Sequence, residues 1–116
     1  MKAEQLLAEA KRLVVGETSA EAGLRCRAAV LLSRQALEAR VIEILATRAP
    51  HIEDAAFDAQ LLSLLGVMQN AELAKRARYV WAALSSASHM QQYDLPPTSI
   101  ELTDWIETVD LFLCQE

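Results

Sequence analysis

LRCRAAVLLSRQALEARVIEILATR, residues 24–48, decides the fold. No Gly or Pro interrupts it, and its apolar residues recur at three- and four-residue spacing, the period of an α-helix. Leu24, Ala28, Leu31, Ile42 and Leu45 make one stripe, and Cys26, Val30, Leu37, Val41 and Ile44 a second. Two apolar stripes predict a helix packed on more than one side. Arg25, Arg27, Arg34, Arg40 and Arg48 fill much of the remaining surface. Upstream, Thr18 to Glu21 spells a capping box, T-S-A-E, which predicts a helix start there. The helix runs to about Arg48, before Pro50, and spans about 40 Å at 1.5 Å per residue.

The same punctuation divides the rest of the 116-residue chain. Residues 2–15 read as a first amphipathic helix with Leu6, Leu7, Ala10, Leu13 and Val14 inward, stopped by Gly16. After Pro50, Glu53 and Asp54 suit the positive end of a helix dipole. They open a short helix whose buried face is Phe57, Leu61, Leu64 and Leu65 and whose end is Gly66. Asn70 caps a fourth helix, about 71–91, with Leu73, Ala77, Val80, Leu84 and Ala87 as its core stripe and Trp81 beside it. Pro96 and Pro97 break the chain. A second capping box, T-S-I-E at Thr98 to Glu101, starts the last helix, about 99–114. There Leu102, Ile106, Val109 and Leu113 line one face, flanked by Trp105 and Phe112, while Glu101, Asp104, Glu107 and Asp110 stay outside. Short connections favour antiparallel neighbours. The expectation is one all-α domain over residues 1–116, a four- or five-helix antiparallel up-and-down bundle.

Composition removes several function classes. No apolar stretch approaches the roughly 20 residues of a membrane span. The first residues, MKAEQLLAEAKRL, carry charges through their apolar positions and make no signal peptide, so the cytoplasm is expected. Cys26 and Cys114 read as free thiols. A net charge of −5 argues against a DNA-coating protein. The charge is uneven: residues 1–48 carry eight bases and six acids, residues 49–116 three bases and ten acids. The acidic C-terminal part reads first as a solvated face and second as a docking surface for a basic partner. His51 and His89 lie in no metal-binding spacing, phosphate-binding glycine loops are absent, and neither metal nor cofactor is expected.

The segment RYVWAALSSASHMQQY, residues 78–93, carries the polar residues that could do chemistry: Arg78, Ser85, Ser86, Ser88, His89 and Tyr93. Serines are mediocre helix formers, so this cluster reads as close packing through small residues, or as a polar pocket around Trp81 and Ser85 with His89 as general acid or base. Arg78 and His89 stand eleven residues apart, about 16 Å along a helix, too far for both to reach one phosphate within a single chain. Lys75, Arg76 and Arg78, interleaved with Tyr79 and Trp81, could contact single-stranded RNA, or be solvated side chains.

Two segments resemble the HEPN family of helical domains, found in bacterial toxin–antitoxin and antiviral systems. In AAVLLSRQALEARVIEIL, residues 28–45, Gln35, Ala36 and Glu38 stand where that family's long early helix carries a similar element. In SSASHMQQYDLPPTSIELTDWI, residues 85–106, His89, Tyr93, Pro96 and Pro97 stand at the places of its histidine, tyrosine and proline break. The resemblance implies a small helical domain acting on RNA or as a partner-binding module. Ribonuclease members place an arginine four to six residues ahead of the histidine, with that many between. Here those places hold Leu84, Ala83 and Ala82. The expectation is therefore a non-catalytic member that forms a homodimer or binds a cognate protein. A metal-independent ribonuclease using His89, with Arg78 and Tyr93, and a small-ligand or nucleotide-binding bundle with a pocket around Trp81, Ser85, His89 and Tyr93 are the alternatives.

Overall fold

The computed structural model describes residues 2–14, 22–52, 54–89 and 96–114. Five α-helices account for most of them: α1 (Ala3–Val14), α2 (Ala22–Arg48), α3 (Phe57–Val67), α4 (Ala71–Ser88) and α5 (Ser99–Leu113), with a 3₁₀ turn at Pro50–Ile52. The described residues hold no strand, and the all-α bundle expected from the sequence is the fold. The capping box at Thr18–Glu21 and the stop at Gly16 fall outside the described residues.

The 27 residues of α2 set the long axis, and the molecule measures 45 × 25 × 25 Å. Around it α1, α2, α4 and α5 form a closed ring of neighbours, each packed on the next, and α2 also reaches across to α5. Helix α3 is an outrider on α4 and α2. Phe57 at its start packs against Trp81 of α4, and the carbonyl of Val67 at its end accepts from Arg48 Nη1 at 2.9 Å.

The core is Leu7 and Ala10 of α1, Val30, Leu37, Val41 and Ile44 of α2, Leu61 and Leu64 of α3, Val80 and Leu84 of α4, and Val109 and Phe112 of α5. Phe112, expected at the flank of α5, is fully buried and is the largest side chain so enclosed. Removing such an aromatic costs about 3–5 kcal/mol through lost transfer energy and the cavity left behind.

Two helix starts follow the sequence reading. Asn70 Oδ1 accepts from the Leu73 backbone N–H at 3.0 Å. Thr98 accepts from the Glu101 N–H at 3.1 Å while Glu101 Oε1 accepts from the Thr98 N–H at 2.9 Å, a complete capping box. Each satisfies donors that the first helical turn leaves orphaned.

Four expectations need correction. Asp54 precedes the third helix rather than opening it; the helix starts at Phe57, and Ala56 at its N-cap makes no side-chain bond. Gly66 does not end α3, which continues through Val67 and stops where Met68 turns extended. Its glycine keeps an ordinary helical backbone, so the missing side chain was a false stop signal. Leu65 points outward, and Gln60 takes its inward place, donating through Nε2 to the Ala55 carbonyl at 2.9 Å. The first stripe of α2 is mostly not a packing face. Leu45 is buried, but Leu24, Leu31 and Ile42 are 68%, 43% and 55% exposed. Position explains the split: Leu24, Leu31 and Ile42 lie within about 20° of one another around the helix, while Leu45 sits about 60° away, toward the core.

Candidate functional site

Helix α4 carries most of the candidate residues, and its helical geometry sorts them. Arg78, Trp81 and Ser85 follow at three- and four-residue steps on one side, so they line up along a seam. Helix α2 faces that seam with Arg34 and Glu38. Trp81 Nε1 donates to Glu38 Oε2 at 2.9 Å, and Arg34 Nε lies 3.5 Å from the same oxygen. Glu38 thus ties two helices across 43 residues of sequence. The side chains of Arg34 and Glu38 are 27% and 28% exposed, so the carboxylate is partly desolvated and depends on the indole N–H and on the nearby guanidinium charge. The Trp81 ring also meets Phe57, with centroids 5.2 Å apart and planes tilted by 41°.

One turn along α4, Ser85 Oγ is buried and has no hydrogen-bond partner among the described residues; Ser33 Oγ in α2 shares that condition. Ser88 instead turns its hydroxyl back onto the Leu84 carbonyl at 2.8 Å. That is the local bond serine makes inside helices. Small buried hydroxyls at 33 and 85 match the packing reading of the serine cluster, since each occupies little more room than alanine.

Arg78 reaches the other way, to α3. Its Nε and Nη2 donate to the two carboxylate oxygens of Asp58 at 3.1 and 3.3 Å, a fork on a fork. Lys75 lies 3.5 Å from Glu72. Arg76 turns to α5, where Nη2 donates to Thr108 Oγ1 at 3.0 Å and Asp104 stands 3.9 Å away. The three cations that looked like one basic cluster are therefore parted: Arg76 serves the α4–α5 contact, and Arg78 holds α3. Lys75, Arg78 and Tyr79 do share an open groove of about 340 Å³, floored by Leu61 and Leu65, with the Asp58 carboxylate at its rim. The acid offsets much of the positive charge that a phosphate would seek.

His89 sits at the exposed C-cap of α4, its backbone N–H donating to the Ser86 carbonyl at 3.2 Å. Arg78 and His89 remain about 16 Å apart along the helix, as the spacing required. Tyr93 falls outside the described residues. Trp81 is brought together with Arg34 and Glu38; Lys75, Arg76, Arg78 and His89 are not. Glu38 is the residue sequence reasoning undervalued. The signal was there, an acid amid the apolar positions of a long helix, but its partner is too distant in sequence for spacing to reveal.

No group of three or more metal-ligating side chains comes together among the described residues. Cys26 and Cys114 are both free. Burial pushes the Cys26 thiol above its ordinary 9.0, against the pull of the Arg27 guanidinium. No described helix is long and apolar enough to cross a membrane.

Large apolar side chains are exposed at Leu62, Leu65, Tyr79, Ile100 and Leu111, but on the outer face of α2 three more, Leu24, Leu31 and Ile42, stand in line along one helix with Gln35 among them. Compared with protein-family models, curated proteins and solved structures, the chain matches none.

Proposed function

We propose that this chain is a HEPN-like helical module that works by association, with a copy of itself or with a cognate protein, in a setting of the toxin–antitoxin or defence type and without catalysis. The observation that carries the reading is the exposed line of Leu24, Leu31 and Ile42 on α2. The other large apolar side chains of that helix are buried or half-buried, and aligned exposed apolar residues are what association surfaces display. The disposition of the polar candidates supports the same reading. Arg78 is bound to Asp58, Trp81 to Glu38, and His89 stands at a helix end remote from both. A general acid or base needs its partner within hydrogen-bond reach of the reacting atom, directly or through one water.

Two measurements test it. RNA incubated with the protein in EDTA stays intact over a concentration series, for the wild type and for His89→Ala alike. Cleavage that vanishes in His89→Ala, with the fold retained, overturns the non-catalytic reading. Sedimentation, with and without the protein encoded beside this chain, shows a complex; a monomer that binds no such neighbour overturns the association reading.

A further inference from the structure

We infer that the partner on α2 is a second copy of this chain, docked antiparallel along the helix with its two-fold axis at the level of Ser33. The inference rests on the association reading above and names its occupant and register. With the copies so aligned, Leu24 of one stands opposite Ile42 of the other, Leu31 opposite Gln35, and the small Ala28 opposite Glu38. Leu24 and Ile42 thus meet each other twice and Leu31 packs on the Gln35 side chain twice, in the self-complementary fashion a two-fold interface demands.

The charges beside the stripe choose the direction. Around the helix, Arg27 and Glu38 lie about 60° and 40° to one side of Leu24, and Arg25 and Glu43 both lie about 100° to the other. An antiparallel two-fold brings like flank against like flank. It sets Arg27 at the level of position 39, about 1.5 Å of rise from Glu38 of the second copy, and Arg25 about 3 Å of rise from Glu43. Arg27–Glu38 and Arg25–Glu43 thus pair opposite charges, each twice, against a single approach of Arg34 to its own copy near the axis. A parallel two-fold brings opposite flanks together. It sets Arg27 about 3 Å of rise from Arg25 and turns Glu38 toward Glu43, about 7.5 Å of rise away, like against like.

The side chains are placed to serve. Arg27 is exposed, and Glu43 is 54% exposed and paired with Arg40 on its own helix at 3.3 Å. Glu38 uses Oε2 for Trp81 and Arg34, and a carboxylate has a second oxygen to offer. Arg34 lies on the Glu38 flank near the axis, drawn toward its own Glu38.

The experiment is sedimentation equilibrium of the full chain, joined to cysteine cross-linking in a Cys26→Ser/Cys114→Ser background. The wild type sediments as a dimer. Leu31→Glu, on a surface position, sediments as a monomer with an unchanged circular dichroism spectrum. Arg25→Glu weakens the dimer about fivefold by setting a like charge against Glu43 of the other copy, twice per dimer, and adding Glu43→Arg restores it. Leu24→Cys and Ile42→Cys cross-link to each other when mixed, and neither cross-links efficiently alone. Self-cross-linking of each variant alone means a parallel pair and overturns the inference. So does a dimer indifferent to Leu31→Glu, which leaves the association reading standing. A monomeric wild type that still captures the protein encoded beside it overturns the self-pairing alone; a monomer that captures nothing removes both.

Discussion

Replacing Trp81 with Phe tests whether Glu38 joins α2 to α4. The substitution keeps a ring against Phe57 but deletes the N–H that donates to Glu38 Oε2 at 2.9 Å. A hydrogen bond to a charged acceptor contributes about 1.5–3 kcal/mol. Glu38 is 28% exposed, so water recovers part of the loss, which sets the value at the low end. The smaller ring buries slightly less apolar surface, and together the change costs about 2 kcal/mol. Read by far-UV circular dichroism in urea, the midpoint falls by about 1 M, for a slope near 2 kcal/mol per molar. Thermally the loss is about 8 °C. Glu38→Gln keeps an acceptor oxygen for the indole and loses only the Arg34 attraction, so it costs less than Trp81→Phe. The decisive quantity is the coupling between Trp81→Phe and Glu38→Ala in a double-mutant cycle, about 1 kcal/mol if the two side chains bind each other. Strict additivity would show that water, not the indole, satisfies the carboxylate, and the reasoning about the seam would fail.

Four further outcomes follow from local features. Gly66→Ala stabilises by about 0.5–1 kcal/mol, because the site is helical and a Cβ there meets nothing within 4 Å; urea titration checks it. Thr98→Ala destabilises by about 1 kcal/mol through loss of the α5 capping box, read the same way. Cys26 has its pKa raised by burial, so its protonated form is favoured by the fold. That contribution is whole below pH 9.0 and is lost as pH climbs through the higher folded value, so Cys26→Ala flattens the alkaline limb of the stability profile. In the folded wild type, alkylation by iodoacetamide at pH 8 strikes the exposed Cys114 before Cys26.

The sequence made the helices legible because their signals are local. Asn70 and Thr98 sit within four residues of the N–H groups they cap, and stripes such as Leu73, Ala77, Val80 and Leu84 repeat every turn. What failed was whatever needed the third dimension. Periodicity says that Leu24, Leu31 and Ile42 share a face, but not whether another helix of the same chain covers it. Gly66 resembled a helix stop because glycine is common there, yet nothing in this fold requires a left-handed residue at that position. Lys75, Arg76 and Arg78 looked like one patch, and the positions of Asp58 and Thr108, 20 and 32 residues from their partners, divided it.

Helix α2 touches every other helix and the 3₁₀ turn, whereas α3 leans mainly on α4 and α2. That asymmetry shapes how the molecule opens. Losing α2 dismantles the whole bundle, so its buried middle should exchange amide hydrogens only through global unfolding. Helix α3 can lift away by withdrawing Leu61 and Leu64 from the core and releasing Phe57, the Asp58–Arg78 fork and the Arg48 bond to Val67, and leave the four-helix ring closed. The chain thus contains one indivisible frame and one removable panel, and amide exchange should find the panel first.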